Sequence, residues 1–112
     1  MKVTIQPRIK ISAHTFKVNY GSGLEERHRK TGFCDLTNGV ILIEPKQMDS
    51  AKLDVLVHEL LHIIDYYFAN KMLAEDQVAM LVAGIVALLD GLNLEFDWSL
   101  IKEVNDGINR GK

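Results

Sequence analysis

Cysteine is almost absent from the sequence, and its scarcity excludes two kinds of structure. Cys34 is the single cysteine in 112 residues. Neither an internal disulfide nor a metal site with several cysteine ligands can therefore form within the chain. A chain without disulfides suits a reducing compartment, so we expect the protein to be cytoplasmic.

Long hydrophobic runs and a strong charge of one sign are also missing. No stretch approaches the roughly eighteen uninterrupted apolar residues of a membrane span, so we expect no membrane association. The first residues, 1–7, lack the apolar core and the small-residue cleavage site of a signal peptide. A formal net charge of −2 gives no electrostatic reason to expect a nucleic-acid partner.

The length and composition are those of one ordinary globular unit. We expect residues 1–112 to form a single domain, with a frayed tail from about residue 106. Apolar residues make up 47% of the chain and charged residues 25%, so one modest core can form without cross-links.

Alternation of apolar and polar residues predicts strands in the first half of the chain. Residues 14–20 alternate in this way. Residues 32–43 are predicted to form an antiparallel hairpin, because Asn38-Gly39 is a strong signal for a hairpin turn. The charged residues 25–30 between them are predicted to be a loop or a short exposed helix.

Helical spacing takes over in the second half. Residues 50–69 carry apolar side chains three and four apart, without glycine or proline, and are predicted to form a long helix. A second helix, residues 74–90, is apolar on a wide face and is predicted to end at Gly91 and to pack antiparallel to the first. Residues 97–104 are predicted to form a last short helix. The predicted fold is α+β, with an antiparallel sheet of about three strands packed on the two helices.

The first helix contains a pattern that carries chemistry. His58 and His62 are four apart, so they lie one above the other on one helical face and can reach one ion. Glu59 lies about 100° round the helix from His58 and borders that ion without binding it. Two imidazoles and an adjacent carboxylate suit a zinc site with a general base, which is the HExxH pattern of zinc peptidases.

Two histidines leave a zinc ion one protein ligand short. Asp65 is about 10.5 Å along the helix from His58, too far to share an ion with it, and is better placed to hydrogen-bond the free ring nitrogen of His62. We expect the third ligand from the next helix, where Glu75 shares the buried face and Asp76 points less certainly inward. The alternative is that both acids only complement the positive end of that helix.

These residues resemble a known family. The run from His58 to Tyr66, followed by Glu75-Asp76-Gln77-Val78, is similar to minimal HExxH metallopeptidase-like proteins of the gluzincin type, small members of which come from phages and bacteria. The resemblance covers residues 14–90 and implies Zn²⁺ held by His58, His62 and Glu75, on a minimal zincin-like fold. It also implies host cytoplasm as the location if a phage encodes the chain.

The leading functional prediction is a zinc-dependent hydrolase of peptide bonds, with Glu59 as general base. A peptide or protein substrate is expected to lie along a sheet edge by strand addition. Tyr66, Tyr67 or His14 are candidates to stabilise the oxyanion. The alternatives are a protein-binding module in which zinc is structural, and a metal-free domain whose histidines only fill the core. The sequence does not indicate an oligomeric state.

Overall fold

The chain folds into two helices and a set of short strands. A computed structural model describes residues 1–24 and 31–103. The elements in these ranges are β1 (Lys2–Thr4), β2 (Arg8–Ile11), β3 (His14–Tyr20), β4 (Gly32–Asp35), β5 (Val40–Ile43), α1 (Asp49–Phe68), α2 (Glu75–Gly91), β6 (Glu95–Asp97) and β7 (Lys102–Glu103). The predicted α+β class is confirmed. The charged segment 25–30 and the tail from residue 106 lie outside the described residues.

The larger sheet is mixed, so the prediction of an antiparallel sheet was wrong. Its strands follow the order β2-β3-β5-β4, and β7 also pairs with β3. β3 is antiparallel to β2 but parallel to β5, with Val18 opposite Ile41. β5, the second strand of the hairpin, lies between β3 and β4, so β4 is two strand positions from β3. The hairpin signal specifies that β4 and β5 are antiparallel, but it does not specify which of the two pairs with β3, and β5 does so in the parallel direction.

The predicted hairpin is confirmed, and the geometry of its turn explains why position 39 is glycine. β4 and β5 are antiparallel, with Asp35 opposite Val40. Asn38 donates its side-chain amide (2.8 Å) and its backbone N–H (3.1 Å) to the Asp35 carboxylate, and these bonds hold the pKa of Asp35 below its usual 3.8. Gly39 has a φ of +67°, and a Cβ there would lie 2.8 Å from the Thr15 carbonyl oxygen. Any other residue would be strained and crowded at this position.

Residues 95–103 form two short strands joined by a turn, so the predicted helix over residues 97–104 was wrong for the described part, 97–103. Asp97 ends β6, and its carboxylate accepts the Ser99 N–H at 3.0 Å. The Ile101 N–H donates to the Trp98 carbonyl at 3.1 Å, closing a single turn. This one turn is enough to bury Trp98 and Ile101, which are 6% and 4% exposed. The apolar spacing of three that suggested a helix is thus satisfied without one.

A second, two-stranded sheet joins distant parts of the chain. β1 runs parallel to β6, with Lys2 opposite Glu95. The ladder continues beyond the paired residues, because the Ile5 N–H donates to the Asp97 carbonyl at 2.9 Å. Ile5 is buried in the same core as Trp98.

The helices begin and end close to the predicted positions. α1 covers residues 49–68 and α2 residues 75–91, against predictions of 50–69 and 74–90. The left-handed residue that follows α2 is Asn93, with a φ of +59°, rather than Gly91. Neither α1 nor α2 is long and apolar enough to cross a membrane.

The main core lies between α1 and the mixed sheet. Its most buried side chains are at most 3% exposed and are Phe16, Val18, Ile41, Ile43, Leu56 and Ile63. A second, smaller cluster lies between the helices, where Val57 packs with Val78 and Val82. The start of α2 lies beside His58 and His62, whereas its end at Asp90 lines a cavity with Asp49 at the start of α1. The two helices are therefore antiparallel, as predicted.

Replacing Gly39 by alanine should destabilise the fold. The left-handed backbone and the contact with the Thr15 carbonyl oxygen both oppose a side chain, so we expect a loss of about 1–3 kcal/mol in the free energy of unfolding. Urea denaturation measures this loss. Gly91→Ala is the matched control, because a Cβ on Gly91 meets no atom within 4 Å and alanine favours a helix. Equal stabilities of the two variants would contradict the turn geometry.

Candidate functional site

Three side chains from the two helices converge on one point. His58 and His62 lie one turn apart on α1, and Glu75 is the first residue of α2. The Nε2 atom of His58 lies 2.7 Å from Glu75 Oε1, and that of His62 lies 3.3 Å from Glu75 Oε2. The two Nε2 atoms are 3.0 Å apart, so both imidazoles present the same nitrogen to the same carboxylate. The antiparallel packing of the helices is what brings Glu75 to the histidines.

The size of this His–His–Glu group suits one metal ion. Ligand atoms bonded at about 2.0–2.1 Å to a tetrahedral zinc ion lie about 3.3 Å from one another. The two Nε2 atoms are 3.0 Å apart, close to that value, and they lie 2.7 and 3.3 Å from the two different oxygens of Glu75. The same distances also suit hydrogen bonds among the three side chains, and a metal titration distinguishes the two arrangements.

Glu59 lies beside this group and against the first residue of β4. Its side chain is buried, with 9% of the residue exposed. A Cβ placed on Gly32 would lie 3.2 Å from Glu59 Oε2 and 2.3 Å from Val55 Cγ1. Only glycine therefore allows β4 to approach α1 this closely. The carboxylate is held where β4 meets α1, and Glu59 lines the same cavity as His58.

The negative charge of Glu59 affects the pKa of the Cys34 thiol. Burial, which is the largest cause, and the negative charges of Glu59 and Asp35 together raise the pKa of its thiol from 9.0 to about 11. The thiol is therefore protonated at neutral pH and is a poor nucleophile. This excludes Cys34 as a nucleophile at neutral pH and makes it a reporter of charge near Glu59.

Asp65 supports the connection between the helices rather than His62. Its Oδ1 accepts the Leu73 N–H at 3.2 Å, and its backbone carbonyl accepts the N–H groups of Ala69 (3.1 Å) and Lys71 (3.0 Å). Asp65 is 6% exposed. Among the described residues it makes no hydrogen bond to His62, so that prediction was wrong. Asp65 fixes the path by which the chain leaves α1 and delivers Glu75.

Asp76 does not join the His–His–Glu group. Its Oδ1 accepts the N–H of the adjacent Gln77 at 3.0 Å, at the positive end of α2. The Gln77 side chain in turn accepts the Ala74 N–H at 2.8 Å. Of the two acids that the sequence left open, only Glu75 reaches the histidines.

The three aromatic candidates for oxyanion stabilisation separate into two places. Tyr66 lines the cavity in front of the histidines, together with Lys71. The Lys71 ammonium lies 4.8 Å from the centre of the Tyr66 ring. His14 stacks on Tyr67 with ring centres 4.2 Å apart, and neither lines that cavity. The structure therefore leaves Tyr66 as the candidate and places His14 outside the site.

The His–His–Glu group opens into a groove between β4 and α2. This cavity has a volume of about 1070 Å³ and is floored by α1. β4 forms one wall, the connection residue Lys71 and the side of α2 with Ala79 and Val86 form the other, and Glu59 lies in the floor. Its size is that of a site for a small molecule or a short peptide. Sequence reasoning missed Gly32, Cys34 and Lys71, since none of them belongs to the helical pattern.

Comparisons with models of protein families, with characterised proteins and with solved structures give no match.

Glu59→Gln should make Cys34 react faster in metal-free protein. Removing the negative charge favours the thiolate, so the pKa of Cys34 should fall below about 11 but stay above 9.0, because burial is the larger cause. The rate of iodoacetamide alkylation as a function of pH, measured with a chelator present, gives the midpoint. Asp54→Asn is the control, since Asp54 also lines the groove but does not contribute to the Cys34 shift. An unchanged midpoint in Glu59→Gln would contradict the proximity of the two groups.

Proposed function

We propose that the protein is a zinc-dependent hydrolase that cleaves a peptide bond in the groove between β4 and α2. The observation that carries the proposal is the convergence of two Nε2 atoms and one carboxylate, at separations of 2.7–3.3 Å, among the residues that line that groove. Histidine nitrogen and glutamate oxygen are common zinc ligands, and three protein ligands leave a fourth position open. The carboxylate of Glu59, next to His58 in the sequence, adds a proton acceptor in the same groove.

Each residue has one role in this proposal. His58, His62 and Glu75 hold the ion, which when bound would lower the pKa of a coordinated water toward about 7. Glu59 accepts the proton of the attacking water and returns it to the leaving amine. Tyr66, which also lines the groove, donates a hydrogen bond from its hydroxyl to the oxygen on which negative charge develops.

The groove limits the substrate to an extended segment. β4 ends the strand path β2-β3-β5-β4 among the described residues, and it borders the groove along its length from Gly32 to Cys34. A peptide or protein segment placed parallel or antiparallel to β4 would cross in front of His58 and Glu59. A cavity of about 1070 Å³ accommodates a few residues, so we expect short peptides or flexible loops as substrates.

A catalytically inactive binding module is the second candidate, favoured by the exposure of the third ligand. The Glu75 side chain is 70% exposed, and a carboxylate so open to water is less firmly held than one with buried partners. In a binding module the groove would retain a peptide without cleaving it. Binding of a labelled peptide library without turnover in the zinc-loaded protein would identify this case.

Zinc binding should depend on Glu75 and not on Asp76. Glu75→Ala removes a ligand, so zinc affinity should fall by more than about 100-fold, the upper range for losses of residues that only support ligands. Asp76→Ala removes a neighbouring side chain of the same negative charge, and zinc affinity should stay within a few-fold of that of the unsubstituted chain. Competition against a fluorescent chelator measures both. Equal effects would show that the acids act only through charge, and no binding by the unsubstituted chain would remove the proposal.

Glu59→Gln should retain zinc and lose hydrolysis. The amide keeps the shape of the side chain but cannot accept the proton, so we expect a fall of about 10²–10⁴-fold in the rate on a cleaved library peptide. Zinc content, measured by atomic absorption, should remain at one equivalent. Tyr66→Phe should have a smaller effect, since loss of one hydrogen bond to the developing oxyanion lowers the rate by about 10²–10³-fold. Undiminished hydrolysis by Glu59→Gln would refute its assignment as the base.

A further inference from the structure

α2 is apolar nearly all round, yet much of it is exposed. The run from Val78 to Leu89 contains no charged or hydrogen-bonding side chain. Only Val78 and Val82 of this helix are buried, whereas Met80 and Leu88 are 66% and 62% exposed. A helix of this composition is usually covered on all sides. Something outside the described part of the chain is therefore needed to cover its outer face.

The large exposed side chains of α2 form a stripe on the side of the helix away from the groove. Helical geometry places Met80, Gly84 and Leu88 in one row, four residues apart, with Leu81 beside it. We call these four residues the α2 stripe. The groove is bordered by other residues of the helix, including Glu75, Ala79 and Val86. The stripe and the proposed catalytic groove thus use different residues of α2, and the stripe contains no proposed zinc ligand.

Gly84 lacks a side chain, so another backbone could approach the stripe most closely at this residue. Glycine in the middle of a helix lowers its stability, and a Cβ on Gly84 would meet no atom within 4 Å. The fold itself therefore has no need of a glycine here. Met80 stands four residues before it and Leu88 four residues after it, so two large exposed side chains flank a depression in the surface.

We propose that the α2 stripe binds the α2 stripe of a second copy of this chain. A two-fold axis at Gly84 relates position 80 to position 88, because both are four residues from the axis. When the two helices cross antiparallel, Met80 of one copy therefore meets Leu88 of the other, and the two Gly84 backbones are in contact. Rows of side chains four apart pack in this manner at a crossing angle of about −50°, and a closed two-fold pair leaves no stripe exposed.

The charges of α2 favour a second copy over a lipid surface. Helices that lie on membranes carry Lys or Arg along their polar face, whereas α2 has none and carries only Glu75, Asp76 and Asp90. The stripe itself bears no charge, so two copies meet without repulsion between like charges. Because helices that cross at about −50° touch only over the turns near the crossing point, the pair buries less surface than the roughly 1,600 Å² of a standard interface. The dimer should accordingly dissociate reversibly at micromolar concentrations.

Sedimentation velocity tests the surface. The unsubstituted chain should be dimeric at about 100 μM and dissociate on dilution, and Leu88→Glu should weaken association by at least 10-fold, because the two-fold axis puts two acids into one interface. Met72→Glu is the matched control. Met72 is 77% exposed, lies outside α2, and should leave the dimer intact. A monomer at 100 μM, or equal weakening by both substitutions, would overturn the proposal. Circular dichroism confirms that each variant is folded.

Disulfide trapping tests the antiparallel crossing. In a Cys34→Ser background, Gly84→Cys should give a covalent dimer on mild oxidation, since the two sulfurs meet at the axis. Gly91→Cys is the matched control, because a Cβ there also meets no atom within 4 Å. In an antiparallel pair the two copies of residue 91 are about 20 Å apart, beyond the roughly 7 Å that a disulfide spans. Trapping at residue 91, or at neither residue, would overturn the two-fold arrangement.

Discussion

Three consecutive residues of α1 face three different surroundings, and the rest of the structure depends on this division. Leu56 enters the core under the mixed sheet, Val57 packs against α2, and His58 faces the groove. Each step along a helix turns it by about 100°, so this order repeats one turn later with Leu60, Leu61 and His62. Burial of the first two faces fixes the rotation of the helix. The histidines are thus oriented by apolar packing rather than by their own contacts.

The parts of the fold that could be predicted from the sequence are those that local patterns specify. A repeat of apolar residues three and four apart is a local property, and both helices begin and end within one residue of the predicted positions. The hairpin was also local, since Asn38-Gly39 specifies its turn. The parallel pairing of β3 with β5 and the two strands after α2 were missed, because they depend on partners far away in the sequence. Trp98 and Ile101 have helical spacing and are buried by a single turn instead.

The site also contains residues that helical geometry predicts and residues that it does not. Helical geometry alone brings His58 and His62 together, and the choice of Glu75 over Asp76 followed from the face that α2 turns toward α1. The residues that complete the groove could not be found by this reasoning. Gly32 allows β4 to approach Glu59, and Lys71 comes from a connection held by Asp65. Their positions follow from contacts between elements, which no periodicity encodes. Asp65 was assigned to a histidine because it shares a helical face, but backbone N–H groups beyond the helix end are its partners.

The pairing of β1 with β6 has a consequence for how the chain acquires its structure during synthesis. Lys2 leaves the ribosome before its partner Glu95, which emerges roughly 5–20 s later at ordinary rates of translation. β2 to β5 and α1 can assemble in that interval, whereas β1 must wait without a partner for its hydrogen bonds. Contacts of such long sequence separation form slowly. The nascent chain therefore carries an unsatisfied strand until α2 has been made, and closure of the smaller sheet is a late event in folding.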